Sequence, residues 1–288
     1  NDGEVIMDWN RIKKILIIAL LVANAILFCY SNYNNFRLRN ESTRIDFVRE
    51  VSDLLAEKNI SLDTNIPRRS KKLPSVLVSF ETSSEEDIND RYFRGKGKVA
   101  RPSTDLAEIS LGDEYVNLLN GRRVFYENRN KKNKYKLDSL EEAQNIAQKF
   151  LLDKKYDTRD IYLSYYQVDG DKYILNYTKI FDSLPVESSY TNFVIDARGV
   201  MSMDRLWLDV LNKSEQKIHL APAGRTLLSL LNKTEYYNKT IEKISPCFYF
   251  NPEDQGYIED ITRAVNGRAI PAWKVKFTDG EYTVLSNY

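Results

Sequence analysis

The apolar stretch Ile15–Tyr30 constrains this chain more than any other feature of its sequence. It consists of the sixteen residues ILIIALLVANAILFCY, in which Asn24 alone interrupts the apolar character. No charged residue follows until Arg37, so the charge-free run covers Ile15–Phe36. A helix of that length spans about 33 Å, close to the ~30 Å hydrocarbon core of a bilayer, and satisfies its backbone hydrogen bonds internally. The sequence therefore predicts one transmembrane helix at Ile15–Phe36.

Aromatic and cationic side chains flank this run, as is typical of the two membrane interfaces. Three cations precede the run, whereas two, Arg37 and Arg39, follow it closely. Because cytoplasmic flanks are enriched in cations, we expect a single-pass protein of the cell membrane, with residues 1–14 in the cytoplasm and the C-terminal part extracellular. Residues 1–6 precede Met7 and are expected to be a non-native extension. The predicted interface residues are Trp9, Arg11, Lys13, Lys14, Tyr30 and Tyr33.

A cleaved signal peptide is the main alternative interpretation of the same run. Ala23-Asn24-Ala25 has the small-x-small form of a cleavage site. However, the apolar residues Ile26–Cys29 continue past that site, whereas a cleavage site normally follows the apolar core. This continuation favours an uncleaved anchor.

Small and polar residues within the run are candidate contacts with another membrane helix. Ala19 and Ala23 lie four residues apart, a spacing that lets a second helix approach closely. Asn24 carries an amide that gains from a hydrogen-bonding partner in lipid, but it lies about 100° around the helix from Ala23. One partner helix therefore need not use both features. The alternative is that these alanines reflect only the abundance of alanine in membrane helices.

The part of the chain after the anchor holds about 250 residues, enough for one large or two ordinary domains. The whole chain has 42 basic and 41 acidic residues, and this balance predicts no nucleic-acid partner. Of the two cysteines, Cys29 lies inside the predicted anchor and Cys247 far along the chain. We therefore expect no disulfide between them.

The periodicity of the remaining sequence predicts an α+β fold of repeated helix-plus-antiparallel-sheet units. We expect the anchor helix to break at Asn32–Asn35, and a second helix to run from a cap at Ser42 to about Lys58. The acidic stretch Thr82–Asp90 predicts a solvated loop. A boundary near residue 136 is expected to divide the C-terminal part into subdomains at residues 37–136 and 137–288.

Local patterns also predict the remaining elements of that part. The capping box Ser139–Glu142 predicts the start of a helix, and a short helix is expected at Ala223–Leu231 after Pro222. Alternating apolar residues and turn signals predict the strands. These strands are Val76–Phe80, Ala107–Leu111, Arg122–Tyr126, Ile161–Val168, Tyr173–Phe181, Tyr190–Asp196, Val200–Leu208, Ile241–Phe250, Trp273–Thr278 and Glu281–Leu285.

The segment Arg122–Lys136 is unusually basic, with seven cations against Glu127 alone. One interpretation is a patch that binds anionic wall polymers or lipid headgroups. The other is a solvated hairpin tip between strands, which is the commoner origin of such charge runs. The candidate residues of the patch are Arg122, Arg123, Arg129, Lys131, Lys132, Lys134 and Lys136.

Sequence signals for catalysis are weak. The chain has one histidine, His219, and contains neither an H-E-x-x-H motif, nor a G-x-S-x-G elbow, nor a phosphate-binding glycine loop. Acid pairs suited to glycoside hydrolysis occur, but a chain with 41 acidic residues contains such pairs by chance. We therefore predict no enzymatic activity and no catalytic, metal-ligating or cofactor-binding residue. The candidate acids are Glu85-Glu86-Asp87, Glu253-Asp254 and Glu259-Asp260.

The two ends of the chain resemble those of one protein family. Met7-Asp8-Trp9-Asn10-Arg11 leads directly into the single anchor, as in the YycI family, and Ala269–Tyr288 resembles the closing hairpin of that family. The helix-then-hairpin stretches resemble its repeated units and, more loosely, PepSY modules.

Membership of the YycI family would imply a regulatory role. Its members are membrane-anchored partners of the WalK (YycG) sensor histidine kinase of low-GC Gram-positive bacteria. The resemblance therefore implies a non-enzymatic protein that acts with a related YycH protein on a kinase controlling cell-wall metabolism. It implies contacts through both the anchor and the extracytoplasmic domain, and no catalytic residue.

Two hypotheses from other classes stay open at this point. The first is an anchored, wall-active hydrolase that uses paired carboxylates. The second is a PepSY-like module that binds or inhibits an extracellular peptidase. Co-purification of the intact anchored form with a sensor kinase would favour the regulatory hypothesis over both.

Overall fold

The computed structural model describes residues 9–41, 44–69, 71–251 and 265–286. The helices of this part of the chain are α1 (Trp9–Glu41), α2 (Ile45–Glu57), α3 (Glu85–Phe93), α4 (Leu140–Asp153) and α5 (Ala223–Leu227). Its strands are β1 (Ser61–Leu62), β2 (Lys72–Phe80), β3 (Lys98–Ser103), β4 (Leu106–Leu111), β5 (Glu114–Leu119), β6 (Arg123–Asn128), β7 (Ile161–Asp169), β8 (Lys172–Phe181), β9 (Leu184–Asp196), β10 (Gly199–Leu206), β11 (Leu208–His219), β12 (Thr240–Tyr249), β13 (Asn266–Phe277) and β14 (Tyr282–Leu285).

The strands form one branched sheet. Its main path runs β11-β2-β13-β12-β9-β10-β6-β5-β4-β3, while β14 pairs with β13, β1 pairs with β12, and the hairpin β7–β8 joins β9 through β8. The β1–β12 and β9–β12 pairs are parallel, and adjacent strands of each hairpin are antiparallel. The fold is therefore α+β, as the sequence predicts. Because β6 pairs with β10, and β2 with both β11 and β13, the sheet continues across residue 136. The division into subdomains there stays a prediction.

Strand β9 changes neighbours part-way along its length. Its residues up to Glu187 lie beside β12, whereas its residues from Tyr190 onward lie beside β10. Between these parts the register against β8 jumps, which leaves Glu187–Ser189 without partners on β8. Ser188, at the centre of this β9 bulge, has a φ of 73°. A bulge of this kind bends a strand and redirects its side chains.

Hydroxyl groups stabilise the backbone of the β9 bulge. The Thr178 hydroxyl on β8 lies 3.1 Å from the carbonyl oxygen of Val186 and 2.8 Å from that of Ser189. The Ser188 hydroxyl donates to the carbonyl oxygen of Phe250 at 2.6 Å. Buried carbonyl groups need such donors, because each one left unsatisfied costs about 1–3 kcal/mol. The bulge is thus tied both to β8 and to the chain just after β12.

The helices after α1 cover two regions of the sheet. Helices α3 and α4 pack on β4–β6 and β8–β10, whereas α2 and α5 pack on β12–β14. Each buried leucine or isoleucine in these cores contributes about 1.5–3 kcal/mol relative to exposure. The helix side chains buried in them include Ile88, Tyr92, Ala143, Ile146, Leu151, Val51, Leu55, Ala223 and Leu227.

A buried cation ties β10 to the chain just after β2. Arg205 is 2% exposed, and its guanidinium donates to Glu81 at 2.7 Å and to the Thr191 hydroxyl at 2.8 Å. The same guanidinium lies 4.4 Å from the ring centroids of both Tyr156 and Trp207. Because a buried charge is costly unless it is paired and hydrogen-bonded, this arrangement holds these elements in one position.

The two N-terminal helices correct two sequence-based predictions. Helix α1 continues through Asn32–Asn35 to Glu41, so the predicted break is wrong. Asparagine costs no more than about 0.7 kcal/mol per residue in a helix, and no glycine or proline interrupts this run. The predicted cap at Ser42 is also wrong, because α2 begins at Ile45 with Arg44 at its N-cap.

The acidic stretch predicted to be a loop contains helix α3, which is a further correction. The Ser84 hydroxyl accepts from the Asp87 N–H at 3.1 Å, and the Asp87 carboxylate accepts from the Ser84 N–H at 3.2 Å. This reciprocal pair is a capping box. Acidic residues are favourable in a first helical turn, so the composition attributed to a solvated loop also fits a helix start.

The other predicted elements are confirmed with shifted ends. The capping box at Ser139 starts α4, the predicted strands correspond to β2, β4, β6, β7, β8, β9, β10 and β12–β14, and Ala223–Leu231 forms α5 followed by a 3-10 turn. The strands β1, β3 and β5, the strand β11 beyond Leu208, and the first parts of β9 and β13 were not predicted.

We predict that Thr178→Val destabilises the domain by about 1–3 kcal/mol, because it removes the hydroxyl that lies within hydrogen-bonding distance of two carbonyl oxygens of the β9 bulge. Cys247 is fully buried, so its alkylation rate under native conditions reports opening of the sheet. In a Cys29→Ala background, that rate should rise about 5-fold or more.

Thr283→Val is the matched control. Thr283 is a buried strand threonine whose hydroxyl makes no hydrogen bond within the described residues. Its replacement should change the rate less than threefold. Equal rates for Thr178→Val and the parent chain would show that the hydroxyl does not support the bulge.

Candidate functional site

Helix α1 presents an unbroken apolar surface. It is the one helix in the described part of the chain that is long and apolar enough to cross a membrane, with a candidate span at Lys13–Ser31. The large apolar side chains of this span are 52–71% exposed. Its 33 residues extend about 50 Å, which exceeds the hydrocarbon core and reaches both headgroup regions.

The predicted contact residues lie on this exposed helix. Ala19, Ala23 and Asn24 are all exposed, so the folded domain does not cover them. Of the predicted interface residues, Lys13, Lys14, Tyr30 and Tyr33 are exposed on α1. The backbones of Trp9 and Arg11 belong to α1, while their side chains lie outside the described part. The roles of these residues in contacts or anchoring stay predictions.

The basic segment is not a hairpin tip. Its first part is β6, which pairs with β5 and β10 inside the sheet, and its second part leads to α4. Arg123 donates to both carboxylate oxygens of Asp204, and Arg129 pairs with Glu127.

The remaining cations of the segment differ in their surroundings. Lys136 forms an ion pair with Asp138 at 2.6 Å, and Arg122 is half-buried. Lys131, Lys132 and Lys134 are exposed. Because ion pairs and sheet pairing engage part of the segment, its exposed excess charge is concentrated in these three lysines. Their binding to an anionic polymer stays a prediction.

Of the candidate acids, one group lies in the described residues. Glu85 pairs with Arg101, and Asp87 belongs to the capping box of α3. Hydrogen bonds from Ser84 lower the pKa of the Asp87 carboxyl. These acids thus have structural partners at a helix start. The pairs Glu253-Asp254 and Glu259-Asp260 lie outside the described residues.

One concave site in the described part of the domain is a cleft of about 490 Å³ between β7 on one side and β12 and β13 on the other. Residues of β8 and β9 form its base, including Thr178, Ile180, Leu184 and Pro185. This volume lies within the range of small-ligand and peptide sites, about 300–1,000 Å³. Four lysines and one glutamate carry its charge, and we call it the lysine cleft: Lys71, Glu242, Lys243, Lys274 and Lys276.

A buried ion pair anchors one wall of the lysine cleft. The Lys274 ammonium donates to Glu187 at 2.9 Å, and the two side chains are 11% and 2% exposed. The ammonium also lies 3.9 Å from the centroid of the Tyr282 ring. Glu187 reaches this position because it belongs to the β9 bulge and lies beside Tyr249 of β12. The bulge therefore supplies the carboxylate that pairs with the Lys274 ammonium and holds it in place.

Cys247 lies close to this pair but is not exposed to the cleft. Burial raises the pKa of its thiol well above the usual range, and the Glu187 carboxylate raises it further. The thiol therefore stays protonated and unreactive, as expected for a buried structural cysteine. Cys247 is a free, buried thiol within strand β12.

The other lysines of the cleft fall into two classes. Lys276 forms an ion pair with Glu242 at 2.9 Å. Lys71 and Lys243 are exposed and have no ion-pair partner among the described residues. An anion entering the cleft would therefore meet two ammonium groups whose charge no described carboxylate offsets.

An aromatic ring of β7 packs against the turn between β13 and β14. Tyr165 of β7 packs against Gly280, in the turn between β13 and β14, where any side-chain carbon would overlap the ring. Gly280 has a φ of 87°, which also favours glycine. The hairpin β7–β8 and the hairpin β13–β14 thus contact each other.

The lysine cleft was not predicted from the sequence. Its charged residues come from three separate regions of the chain, and each lysine alone fits the pattern of an ordinary exposed strand position. A usable signal was the alternation of Lys274 and Lys276 in β13, which places both on one face of the sheet. That this face of β13 borders a cleft could not be predicted without knowing that β9 pairs with β12.

Comparisons with known proteins give low similarity. No protein-family model and no curated protein match the chain. An uncharacterized protein from Eubacterium rectale is 11% identical, with a TM-score of 0.46, over 74% of this chain and 82% of that one. YycH from Bacillus subtilis is 16% identical, with a TM-score of 0.48, over 77% of this chain and 54% of that one. The C-terminal domain of YpeB from Bacillus megaterium is 12% identical, with a TM-score of 0.38, over 72% of this chain and 100% of that one.

These values limit what the comparisons support. The chain spans about half the length of the YycH structure. At identities below 25% and TM-scores below 0.5, none of the three likenesses carries an argument about function.

We predict that Glu187→Gln lowers the free energy of unfolding by about 3–5 kcal/mol, because it leaves the Lys274 ammonium buried without its carboxylate. Urea unfolding followed by tryptophan fluorescence measures this change. Glu242→Gln is the control, since it breaks a partly exposed pair on the same cleft and should cost about 0–1 kcal/mol. Equal effects of the two substitutions would contradict a special role for the buried pair.

Proposed function

We propose that this chain is a membrane-anchored, non-enzymatic regulatory protein that modulates a sensor histidine kinase controlling cell-wall metabolism. In this proposal α1 spans the cell membrane with its N-terminus in the cytoplasm, and the domain from α2 onward lies outside the cell. Helix α1 contacts the kinase within the lipid, and the domain contacts the kinase and a YycH-like protein outside it.

The exposure of α1 is the observation that carries this proposal. Leaving a leucine or isoleucine side chain in water costs about 1.5–3 kcal/mol relative to an apolar environment. Between Ile15 and Leu27 the helix exposes many such side chains, with the domain covering none of the described ones. Lipid, together with a second helix, provides the environment that this surface requires.

A helix contact can regulate a kinase only if it distinguishes two kinase states. A partner shifts an equilibrium by the difference between its binding free energies for the two states. A hydrogen bond between helices in lipid contributes about 0.6–2 kcal/mol, so an Asn24 contact made in one state could change the ratio of states about 3- to 30-fold. Ala19 and Ala23 permit close approach of a helix on a second face, about 100° around α1 from Asn24.

The identity of the partners rests on the resemblance described above. Residues 7–11 and 269–288 resemble the two ends of YycI proteins, and that family implies a WalK-type kinase and a YycH-like protein as partners. The cationic flank Arg11, Lys13 and Lys14 supports a cytoplasmic N-terminus.

The lysine cleft favours a second candidate function, a PepSY-like module that binds an extracellular peptidase. Such a module uses the domain alone, whereas kinase regulation through α1 requires the native helix. Replacing residues 15–36 by an unrelated spanning sequence separates the two: it should abolish regulation under the first candidate and leave peptidase binding intact under the second.

We predict that Asn24→Leu weakens binding of this chain to the sensor kinase, because the interhelical hydrogen bond is lost. The amount of kinase that co-purifies with this chain from detergent-solubilised membranes should fall about 3- to 10-fold. Kinase autophosphorylation should shift in either direction. The double variant Asn24→Leu with Ile26→Asn is the control. It keeps the composition but moves the amide about 200° around the helix, so it should not restore either readout.

Two outcomes would contradict the regulatory proposal. If the unrelated spanning sequence leaves kinase output unchanged, α1 does not regulate the kinase. If the displaced amide restores binding, the contact lacks the directionality that the proposal assigns to Asn24.

A further inference from the structure

We propose that the lysine cleft binds an acidic peptide segment in an extended conformation. This site is separate from the surface of α1, and the inference holds whichever protein α1 contacts. Its ligand would carry carboxylates toward Lys71 and Lys243 and apolar side chains toward the base of the cleft.

Charge selects an anionic ligand. Of the four lysines, Lys274 is offset by Glu187 and Lys276 by Glu242. Lys71 and Lys243 line the same cleft without an ion-pair partner in the described ranges. A ligand carboxylate at these positions would form charge-assisted hydrogen bonds, which are about twice as strong as neutral ones.

The ion pair of Lys274 with Glu187 holds one lysine of the cleft in position before an anion binds. An ammonium has three N–H donors, and Lys274 uses one on Glu187 while its charge lies over the Tyr282 ring. Lys274 also lines the cleft, and Glu187 uses one of its three N–H donors. Because Glu187 and Tyr282 already hold this side chain, binding would require little loss of its conformational entropy.

The base of the cleft distinguishes a peptide from an inorganic or polymeric anion. Ile180, Leu184, Pro185 and Pro246 line it together with the lysines. A polyphosphate or a glycerol-phosphate chain offers nothing that gains from this apolar surface. A peptide with alternating acidic and apolar side chains matches both parts of the lining.

The wall formed by β7 suits an extended chain. Within the described residues β7 pairs with β8 alone, so its other edge presents backbone N–H and C=O groups. Extended peptides commonly bind by adding to such an edge, with alternate side chains entering pockets. The register of β7 against β8 shifts between Leu163 and Tyr165, and the residue between them, Ser164, lines the cleft. Bulges often occur next to binding sites, where they redirect side chains.

The test uses the full chain in nanodiscs of phosphatidylcholine, a lipid without net charge. The probe is a fluorescein-labelled six-residue peptide in which glutamate and valine alternate, and binding is measured by fluorescence anisotropy. We expect saturable binding that weakens as salt rises. The double variant Lys71→Gln/Lys243→Gln should weaken it about tenfold or more, since both charge-assisted bonds are lost.

Matched controls separate the cleft from general charge effects. Lys131→Gln/Lys132→Gln removes the same charge from exposed positions of the basic segment and should change the affinity less than about twofold. A glutamine–valine peptide should bind at least about tenfold more weakly than the glutamate–valine peptide. An unchanged alkylation rate of Cys247 in each variant shows that the sheet is intact.

Three results would overturn the proposal. Absence of saturable binding would exclude an acidic-peptide site. Equal loss in the two lysine variants would place binding outside the cleft. Competition by inorganic polyphosphate at an equal or lower concentration of negative charge would identify the site as one for anionic polymers and not for peptides.

Discussion

The bulge at Glu187–Ser189 is the constraint on which the rest of the domain depends. Because of the bulge, strand β9 pairs with β12 near its start and with β10 near its end. One strand therefore belongs to both parts of the sheet and joins them. The backbone at Ser188 is strained, with a positive φ. This strain is tolerated because the hydroxyls of Thr178 and Ser188 donate hydrogen bonds to carbonyl groups that strand pairing leaves without a donor. The same bulge places the Glu187 carboxylate beside Lys274, which holds this side chain in place in the wall of the lysine cleft.

The molecule thus separates two kinds of surface. Helix α1 carries a candidate membrane span, and the described side chains of that span contribute nothing to the core of the domain. The domain is stabilised by its three apolar clusters and by buried ion pairs such as those of Arg205 and Lys274. The two proposals therefore use different surfaces: the proposed kinase contact uses α1, and the proposed peptide contact uses the lysine cleft.

Local sequence patterns predicted the elements whose stability is local. The apolar run of α1, the capping box at Ser139 and the hairpin turns were identifiable because each involves residues close in sequence. Helix α3 was missed, although Ser84 and Asp87 carry the same capping signal as α4. The pair of Lys274 with Glu187 joins residues 87 positions apart through a parallel pairing that no local pattern specifies. The candidate contacts on α1 follow from residues close in sequence and stay predictions, whereas the lysine cleft required the topology of the sheet.

Cysteine cross-linking along α1 is the most direct test of a specific contact between this helix and the sensor kinase. In a Cys29→Ala background, single cysteines placed at each position from 15 to 30 would be oxidised in membranes that contain the sensor kinase with a cysteine in its own membrane helix. The account predicts cross-linking that peaks every three to four residues, on the face of Ala19 and Ala23 or on that of Asn24. Cross-linking that is absent, or uniform around the helix, would contradict a specific contact between α1 and the kinase.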